Sequence, residues 1–473
     1  MHPDRLLPAD PATRAVARNL YERVRAARIL SPHGHVDARV LADDAPFPDP
    51  ASLLIQPDHY VIRLLHANGV PLEQLGLPSS RPLLEPESRS VWRAFCAHWD
   101  KFLGTPVRYW LESQFEEVFG IDRPLSTATA DAVYDEISAR LTEPAFRPRR
   151  LFGRFGIEIL ATTDDPVDSL EAHERLRTEA VLPGTVIPTF RPDRYLDPAS
   201  PSWASDLERL AEAADTETDS YAGTLRALRR RRRHFLEHGA TSLDIGVRTP
   251  DSAPLEDGEA EALHRRARRG QADEADIARY RANMVYRQAE MSAEDGLTMQ
   301  LHAGVHRNHH RPTFDAFGPD TGHDIPVRTD FVEPLRPLLN AFGTSPSFRL
   351  VLFTVDETVF SRELAPLAGF YPSVYVGAPW WFLDTPAAGD RFRRAVTDSA
   401  GLFKTSGFID DTRAFCSIPA RHDMARRVDA AFLASLVTTH QLEEETAGEL
   451  IEALVDEIPR RVFNLPSPAD RKE

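Results

Sequence analysis

The sequence contains little cysteine and no long apolar run. Among its 473 residues there are only two cysteines, Cys96 and Cys416, so neither a disulfide framework nor a cysteine-based zinc site is expected. No apolar run approaches the length of about 20 residues that a membrane-spanning helix needs. The polar, proline-rich start MHPDRLLPADPATRA is unlike a secretion signal. We therefore expect a cytoplasmic protein that does not contact a membrane.

Basic residues are outnumbered by acidic residues, and lysine is rare. The 56 lysines and arginines face 72 aspartates and glutamates, and the formal net charge is −16. This excess of negative charge argues against a partner that is itself negatively charged and bound by general electrostatic attraction, such as a nucleic acid or an anionic membrane. Only Lys101, Lys404 and Lys472 are lysines, so lysine chemistry has almost no candidates. The run Arg229–Arg233 is interpreted as a solvated helix face rather than a nucleic-acid patch.

Eight short apolar stretches recur along the chain, and each is followed by a helical pattern. Nearly continuous apolar runs of this kind are typical of strands that are buried on both faces of a parallel sheet. Eight strand–helix units predict an α/β fold, a (β/α)8 barrel of the TIM type. The stretches are Ala27–Ser31, Gly156–Ala161, Thr185–Phe190, Thr241–Ile245, Thr298–Leu301, Arg349–Thr354, Ser373–Val376 and Ser406–Ile409.

One long connection interrupts this rhythm. Residues 44–150 lack a clear strand and are rich in leucine and aromatic residues at helical spacing. Trp92, Phe95, Trp99 and Phe102, for example, fall on one face of a helix. Because both flanks return to the barrel pattern, we interpret 44–150 as a helical insertion after the first strand, within a single barrel domain that spans 1–473.

Active residues of such barrels lie at the carboxyl ends of the strands. The first strand runs into Pro32-His33-Gly34-His35. Side chains at i and i+2 of an extended backbone point the same way, so His33 and His35 should both face the barrel mouth. Two converging imidazoles suit a divalent metal such as zinc.

Three further residues follow later strands. His302 ends the fifth strand, where it could bind either a metal or the substrate. Asp411 follows the eighth strand and could complete a His/His/Asp metal site and also move a proton. Arg413, two residues on, could hold an anionic group beside it.

The third and seventh strands add a cation and an aromatic wall. Arg191 follows the third strand, and a buried arginine at that level needs an anionic partner such as a substrate carboxylate. Trp380 and Trp381 follow the seventh strand and offer a flat apolar wall.

No lysine lies near Leu243–Gly246 at the end of the fourth strand, so a lysine-bridged pair of metals is not expected and a single metal fits better. Four further histidines are interpreted as loop residues rather than ligands, namely His306, His309, His310 and His323.

Together these motifs resemble the uronate (glucuronate) isomerases, a branch of the amidohydrolase superfamily with a metal-dependent-hydrolase-like barrel. The resemblance runs nearly end to end. It rests on PHGH at 32–35, DHYVIR at 58–63, TTDDPVDSLEAH at 162–173, FRPD at 190–193, MQLHAG at 299–304, RELAPLAG at 362–369, PWWF at 379–382, DDTRAF at 410–415 and RHD at 421–423.

The resemblance implies an aldose–ketose isomerisation of hexuronates. D-Glucuronate would become D-fructuronate, and D-galacturonate would become D-tagaturonate, by proton transfer from C2 to C1 through an enediol. One divalent metal, zinc or alternatively manganese, would assist. The implied roles are metal binding for His33, His35 and Asp411, catalysis for Asp411 and Tyr60, and substrate binding for His59, Arg191, His302, Trp380 and Arg413.

One departure and two alternatives accompany this reading. Members of the family usually carry a histidine after the aspartate of the fourth strand, where this chain has Ile245, and this puts that wall of the site in question. The main alternative is a mononuclear metal-dependent hydrolase that acts on a sugar-acid lactone or ester. A non-catalytic sugar-acid binding protein is less favoured, because binding alone does not require this set of residues. The expected partners are a small hexuronate and further copies of the chain in a homo-oligomer.

Overall fold

The computed structural model describes residues 1–80 and 86–466, and its strands are mostly parallel. One sheet has the order β1-β2-β3 and a second has the order β4-β5-β8-β9, with all neighbours parallel. A short antiparallel hairpin, β6–β7, follows β5. The strands are β1 Ile29–Ser31, β2 Ile157–Ala161, β3 Thr185–Ile187, β4 Ser242–Val247, β5 Thr298–Ala303, β6 Val305–His306, β7 Ile325–Pro326, β8 Leu350–Thr354 and β9 Val374–Val376.

Single backbone contacts link the two sheets. Phe190 forms parallel bridges with Asp164 on one side and Leu243 on the other. At the far edge, Val376 bridges Thr405. The His35 amide donates to the Thr412 carbonyl at 3.1 Å, so the segment after the last bridge returns to the end of β1. The fold is therefore α/β with parallel strands, as the sequence predicts.

Seven of the eight predicted strands are present, and two predictions need correction. The third strand ends at Ile187 rather than Phe190 because Pro188 has no amide hydrogen to donate to a neighbouring strand. Ser406–Ile409 is not a strand, although Thr405 forms a bridge. Gly407 has φ +75°, and a Cβ there would lie 3.0 Å from Pro459 Cδ, so the backbone leaves the extended conformation where it packs against the helix Glu457–Phe463.

Helices surround the strands. Helical segments of other types, mostly one turn long, are Leu72–Gln74, Trp99–Phe102, Gln114–Val118, Pro144–Phe146, Phe360–Leu364, Trp381–Leu383, Leu402–Lys404 and Phe415–Ser417. The α-helices are α1 Pro11–Val24, α2 Ala38–Asp43, α3 Pro50–Leu54, α4 His59–Ala67, α5 Ser88–Ala97, α6 Pro106–Ser113, α7 Ala130–Leu141, α8 Pro148–Arg154, α9 Glu171–Glu179, α10 Asp193–Leu196, α11 Trp203–Ala214, α12 Tyr221–Glu237, α13 Asp257–Arg268, α14 Glu274–Asp295, α15 Arg311–Phe317, α16 Val332–Phe342, α17 Ala365–Phe370, α18 Pro386–Ala400, α19 Ile418–Thr438, α20 Glu444–Val455 and α21 Glu457–Phe463.

In the described residues between β1 and β2, the regular secondary structure is helical throughout, from α2 to α8. Its aromatic face is buried, since Trp92, Phe95 and Phe102 are fully inaccessible and Trp99 nearly so. These side chains belong to the same apolar core as the first sheet. In residues 1–80 and 86–466, no helix is both long and apolar enough to cross a membrane.

The interpretation of Arg229–Arg233 as a solvated helix face is wrong for two of its members. Arg232 of α12 is buried and donates to both carboxylate oxygens of Asp295 at 2.6 and 2.8 Å. Arg231 is also buried and donates to backbone carbonyls before α9. Arg233, by contrast, is exposed. The two buried guanidiniums hold α12 against its neighbours. Local sequence does not reveal this role, because the partner of Arg232, Asp295, lies at the end of α14, far along the chain.

The structure predicts that Arg232→Ala lowers the free energy of unfolding by about 3 kcal/mol, because it leaves the Asp295 carboxylate without its cation. The matched change Arg233→Ala should stay within about 0.5 kcal/mol of the parent, since its side chain is exposed. Urea denaturation followed by circular dichroism measures both. Equal midpoints for the two variants would contradict this assignment.

Candidate active site

All nine residues singled out by the sequence line one cavity of about 230 Å³. It opens at the carboxyl ends of the strands, as expected for a site built on parallel strands. The nine residues are His33, His35, His59, Tyr60, Arg191, His302, Trp380, Asp411 and Arg413.

His33 and His35 converge on Asp411. Their Nε2 atoms lie 3.3 and 2.9 Å from Asp411 Oδ1. Asp411 holds this position with φ +41°, a left-handed conformation that aspartate tolerates better than most residues. Three ligand atoms gathered at one point, on two imidazoles and a carboxylate, are a donor set that suits a divalent metal such as zinc. The residues present therefore fit the expected metal.

Electrostatics favour a cation at the same point. Burial lowers the pKa of His35 to about 4, so its imidazole is neutral and able to bind a metal near pH 7. At His33 burial is outweighed by Asp244 and Asp411, and its pKa is raised. Desolvation raises the pKa of the half-buried Asp411 carboxyl, yet hydrogen bonds from the neighbouring imidazoles hold this pKa well below the ordinary value. The carboxylate is thus ionised at neutral pH.

His302 is oriented by a carboxylate that sequence reasoning did not select. Its Nδ1 lies 2.6 Å from Asp244 Oδ1, and its ring stacks on Phe353 with centroids 4.1 Å apart. The opposite nitrogen, Nε2, is buried and has no hydrogen bond among the described residues. His33, Asp244 and His302 form a second group whose ligand atoms lie close together. His302 therefore presents a free nitrogen that is available to a metal or a substrate.

Arg191 has its anionic partners within the protein. Its guanidinium lies 3.2 Å from Asp244 Oδ2 and 3.0 Å from Asp193 Oδ2. Burial alone would lower its pKa, but these carboxylates raise it instead. Asp193 in turn accepts from the Gly246 amide. The anionic partners that an arginine at this level needs are thus present within the protein, and the arginine also lines the cavity.

Ile245 is not part of the wall of this cavity, although it lines a neighbouring cavity that also contacts His302 and Trp380. Side chains alternate along a strand, and in β4 it is Asp244 that faces the cavity. Ile245 is fully buried in the second apolar core. A single aspartate in the apolar stretch TSLDI was the available sequence signal for Asp244.

Helix α4 and the loop after β9 form a further part of the cavity wall. Tyr60 and His59 open α4, where Asp58 caps the helix by accepting from the Tyr60 amide at 2.9 Å. The His59 ring stacks on Tyr60 and meets Trp381 edge-on. Burial lowers the pKa of His59 to about 3, so its ring is neutral. Both tryptophans line the cavity rather than Trp380 alone.

The rim carries two partly exposed cations, Arg413 and Arg307. Arg413 donates to Asp320 Oδ2 at 2.9 Å, and its side chain is about a third exposed. Asp320 also faces Arg307, which lies over the Trp381 ring. Two guanidiniums at the mouth share this single carboxylate, although Arg307 also lies near Asp324. The mouth is therefore suited to an anionic group.

Two further residues were missed by the sequence reasoning. The Tyr60 hydroxyl donates to Asp384 Oδ2 at 2.7 Å, and Arg421 Nη1 lies 3.0 Å from the same oxygen. Arg421 lines the cavity and stacks on Trp110, with 3.6 Å between its Cζ and the ring centroid. The RHD motif at 421–423 was the available signal for Arg421. Asp384 lay in no motif.

The loop histidines lie outside both groups of potential metal ligands. His309 and His310 are exposed, and His306 and His323 are half-buried. The two ligand groups found in residues 1–80 and 86–466 contain none of them. His306 lies in β6 rather than in a loop, whereas the other three lie outside strands and helices, as expected.

Comparison with known proteins gives consistent matches along the whole chain. The glucuronate isomerase family profile matches residues 11–463. The uronate isomerase of Corynebacterium efficiens is 49% identical over 469 residues, which cover 98% of each chain. The crystal structure of glucuronate isomerase from Caulobacter crescentus has a TM-score of 0.97 and 46% identity, and covers 99% of this chain and 97% of its own. That of uronate isomerase from Thermotoga maritima has a TM-score of 0.91 and 30% identity, with 98% and 99% covered.

These relatives support the isomerase interpretation and not the hydrolase alternative. The profile covers nearly all of the chain, and the matched relatives are of the same length. The chain therefore belongs to the glucuronate isomerase family, a family of aldose–ketose isomerases.

Proposed function

We propose that this enzyme interconverts D-glucuronate and D-fructuronate, and D-galacturonate and D-tagaturonate, by moving a proton between C2 and C1 through an enediol. The observation that carries the proposal is that a carboxylate base, a tyrosine hydroxyl and two arginines face one cavity. Proton transfer next to a carbonyl requires a base near the carbon and a stabilising group near the oxygen. Both are present here.

A single divalent metal, zinc rather than manganese, would be held by His33, His35 and Asp411. Two imidazoles and one carboxylate form a donor set that favours zinc over the harder cations. When bound, the metal supplies Lewis-acid polarisation of a substrate oxygen. The sequence offers no lysine near β4 to bridge a second metal.

Asp411 is the base in this proposal. Its low pKa keeps it ionised at neutral pH, and it lies at the floor of the cavity. The Tyr60 hydroxyl faces the same space and assists proton movement at the neighbouring oxygen, with His59 stacked beside it. His302 Nε2 supplies one further contact to the substrate or the metal.

The substrate carboxylate lies between guanidiniums. Arg191 and Arg413 would hold it together with the neighbouring oxygens, since arginine matches a carboxylate in a bidentate geometry. Arg413 has the more open side chain and a single protein partner, which favours it for the carboxylate itself. Trp380 would cover one face of the sugar, next to His302 at 4.7 Å between ring centroids.

We also propose that the strands close into a (β/α)8 barrel, with 44–150 as a helical insertion in one domain spanning 1–473. The bridges at Phe190 and Thr405 and the contact of His35 with Thr412 support closure. The enzyme would act in the cytoplasm as a homo-oligomer. Cys96 and Cys416 are free and buried, which agrees with a reducing compartment.

Purified protein supplied with zinc or manganese should form ketose from D-glucuronate or D-galacturonate. Asp411→Asn should lower kcat at least about 1000-fold, because the amide can neither accept the proton nor bind metal as an anion. A colorimetric ketose assay with mass spectrometry measures both, since isomerisation keeps the substrate mass. If folded and metal-loaded protein forms ketose from neither sugar, the proposed reaction is refuted.

Metal content tests the ligand assignment. His35→Ala should retain well under one zinc per chain after dialysis, because one of three protein ligands is lost. His309→Ala removes an exposed loop histidine and should keep the metal content of the parent protein. Elemental analysis by mass spectrometry gives the stoichiometry. Full zinc occupancy in His35→Ala would show that the metal lies elsewhere.

A further inference from the structure

The hydroxyl of Tyr60, which lines the cavity, is held by a buried ion pair. It donates to Asp384 Oδ2 at 2.7 Å, and the same oxygen lies 3.0 Å from Arg421 Nη1. Arg421 is itself held by the Ser417 hydroxyl at 2.8 Å and the Asp410 carbonyl at 3.3 Å. The Asp58 cap fixes the backbone of Tyr60. Every group around the phenol oxygen is thus set in place by a second contact.

Asp384 has no place on the cavity wall that contains Tyr60. It follows the short helix Trp381–Leu383, behind the two tryptophans, and is about nine-tenths buried. Its other oxygen, Oδ1, has no hydrogen bond among the described residues. A buried carboxylate oxygen without a donor is costly unless it has a use. The hydrogen-bonded contacts of Asp384 with cavity residues are those with Tyr60 and Arg421 among the described residues.

We propose that Asp384, held by Arg421, is a positioning residue that makes Tyr60 a proton relay. This inference rests on the role given to Tyr60 in the proposed function. With its hydrogen donated to Asp384, the phenol oxygen turns a lone pair toward the cavity. It can then accept a proton from a substrate hydroxyl.

The relay is balanced in atoms and charge. The substrate O–H bond breaks as a new O–H bond forms on Tyr60, and the former Tyr60 O–H bond breaks as Asp384 Oδ2 gains that proton. Tyr60 remains a neutral phenol throughout. When the carbonyl has moved from C1 to C2, the reverse transfer delivers the proton to the substrate oxygen on C1, so the isomerisation leaves both residues unchanged.

The charges around the pair agree with this assignment. Burial, and after it Asp384, raises the pKa of Tyr60 well above its ordinary value, so a free phenolate is not the base near pH 7. Burial raises the pKa of Asp384 to about 6, although Arg421 opposes the shift. Asp384 is then mostly ionised at pH 7 yet able to hold a proton. The charged groups that surround the pair are Arg421 of α19, Arg63 of α4, Asp58 before α4, and Asp411.

The test is a double-mutant cycle on the full chain loaded with zinc, with D-glucuronate as the substrate. Asp384→Asn should lower kcat about 10- to 100-fold with KM changed less than about threefold. In the Tyr60→Phe background the same change should alter kcat less than about twofold, because the phenol that it serves is gone. Asp384→Glu, which keeps the carboxylate, should restore part of the lost kcat and covers the case in which the asparagine variant does not fold.

The pH profile separates a relay from a structural role. Activity of the parent should fall as the pH drops through about 6, because Asp384 must be ionised to accept the proton. Asp384→Asn should lose this acid limb. Asp429→Asn is the matched control, because it removes a carboxylate from the buried Arg393 pair outside the active cavity. It should cost stability but keep the acid limb.

Two results would overturn the relay while leaving the isomerase intact. One is an unchanged kcat and acid limb in Asp384→Asn. The other is an equal loss of kcat in the parent and Tyr60→Phe backgrounds, which is the mark of a merely structural effect. Absence of ketose with the folded, zinc-loaded parent would instead refute the proposed function.

Discussion

The contact of Asp411 with His33 and His35 is the constraint on which the site depends. The histidines follow β1, and the aspartate lies after the last bridged residue of the sheet. The neighbouring hydrogen bond from His35 to Thr412 fastens the same two segments through their backbones. The contact among the proposed metal ligands therefore also brings together the two ends of the strand array.

Among the described residues, the buried cationic side chains are mainly arginines rather than lysines, and this has physical consequences. A buried lysine can lose its proton, whereas a guanidinium stays charged and must be met by carboxylates or carbonyls. Arg191, Arg232 and Arg421 are each met in this way. These contacts also hold the carboxylate partners in place. Asp384 and Asp244, beside the cavity, are two examples. Rigid charge pairs of this kind hold side chains such as Tyr60 and His302 in one orientation.

The sequence predicted those features that depend on local pattern. Seven strands, the helical chain between β1 and β2, and the nine cavity residues follow from apolar runs, strand-end positions and motifs. The prediction of an eighth strand was wrong because the conformation of Gly407 depends on packing against α21, which is distant in sequence.

The missed site residues share the same cause. Asp384 gains its importance only from Tyr60 and Arg421, which come from two other parts of the chain. Arg232 was misread because its partner lies on α14. Asp244 was visible as a charge in a buried strand, but its link to His302 and Arg191 needs three strand ends brought together. Pairing between distant segments was thus the information that local reasoning lacked.

The distribution of the cavity residues along the chain bears on how the protein folds. The walls come from the end of β1, from α4, from the ends of β4 and β5, and from the segment that leads into α19. Contacts between segments so far apart in sequence form slowly, because each closes a long loop of chain. During synthesis the histidines and Tyr60 emerge first, and their partners Asp411 and Arg421 emerge near the end. The proposed ligand set is therefore completed only after almost the whole polypeptide has been made, so uptake of the proposed metal would be a late event that reports on finished folding.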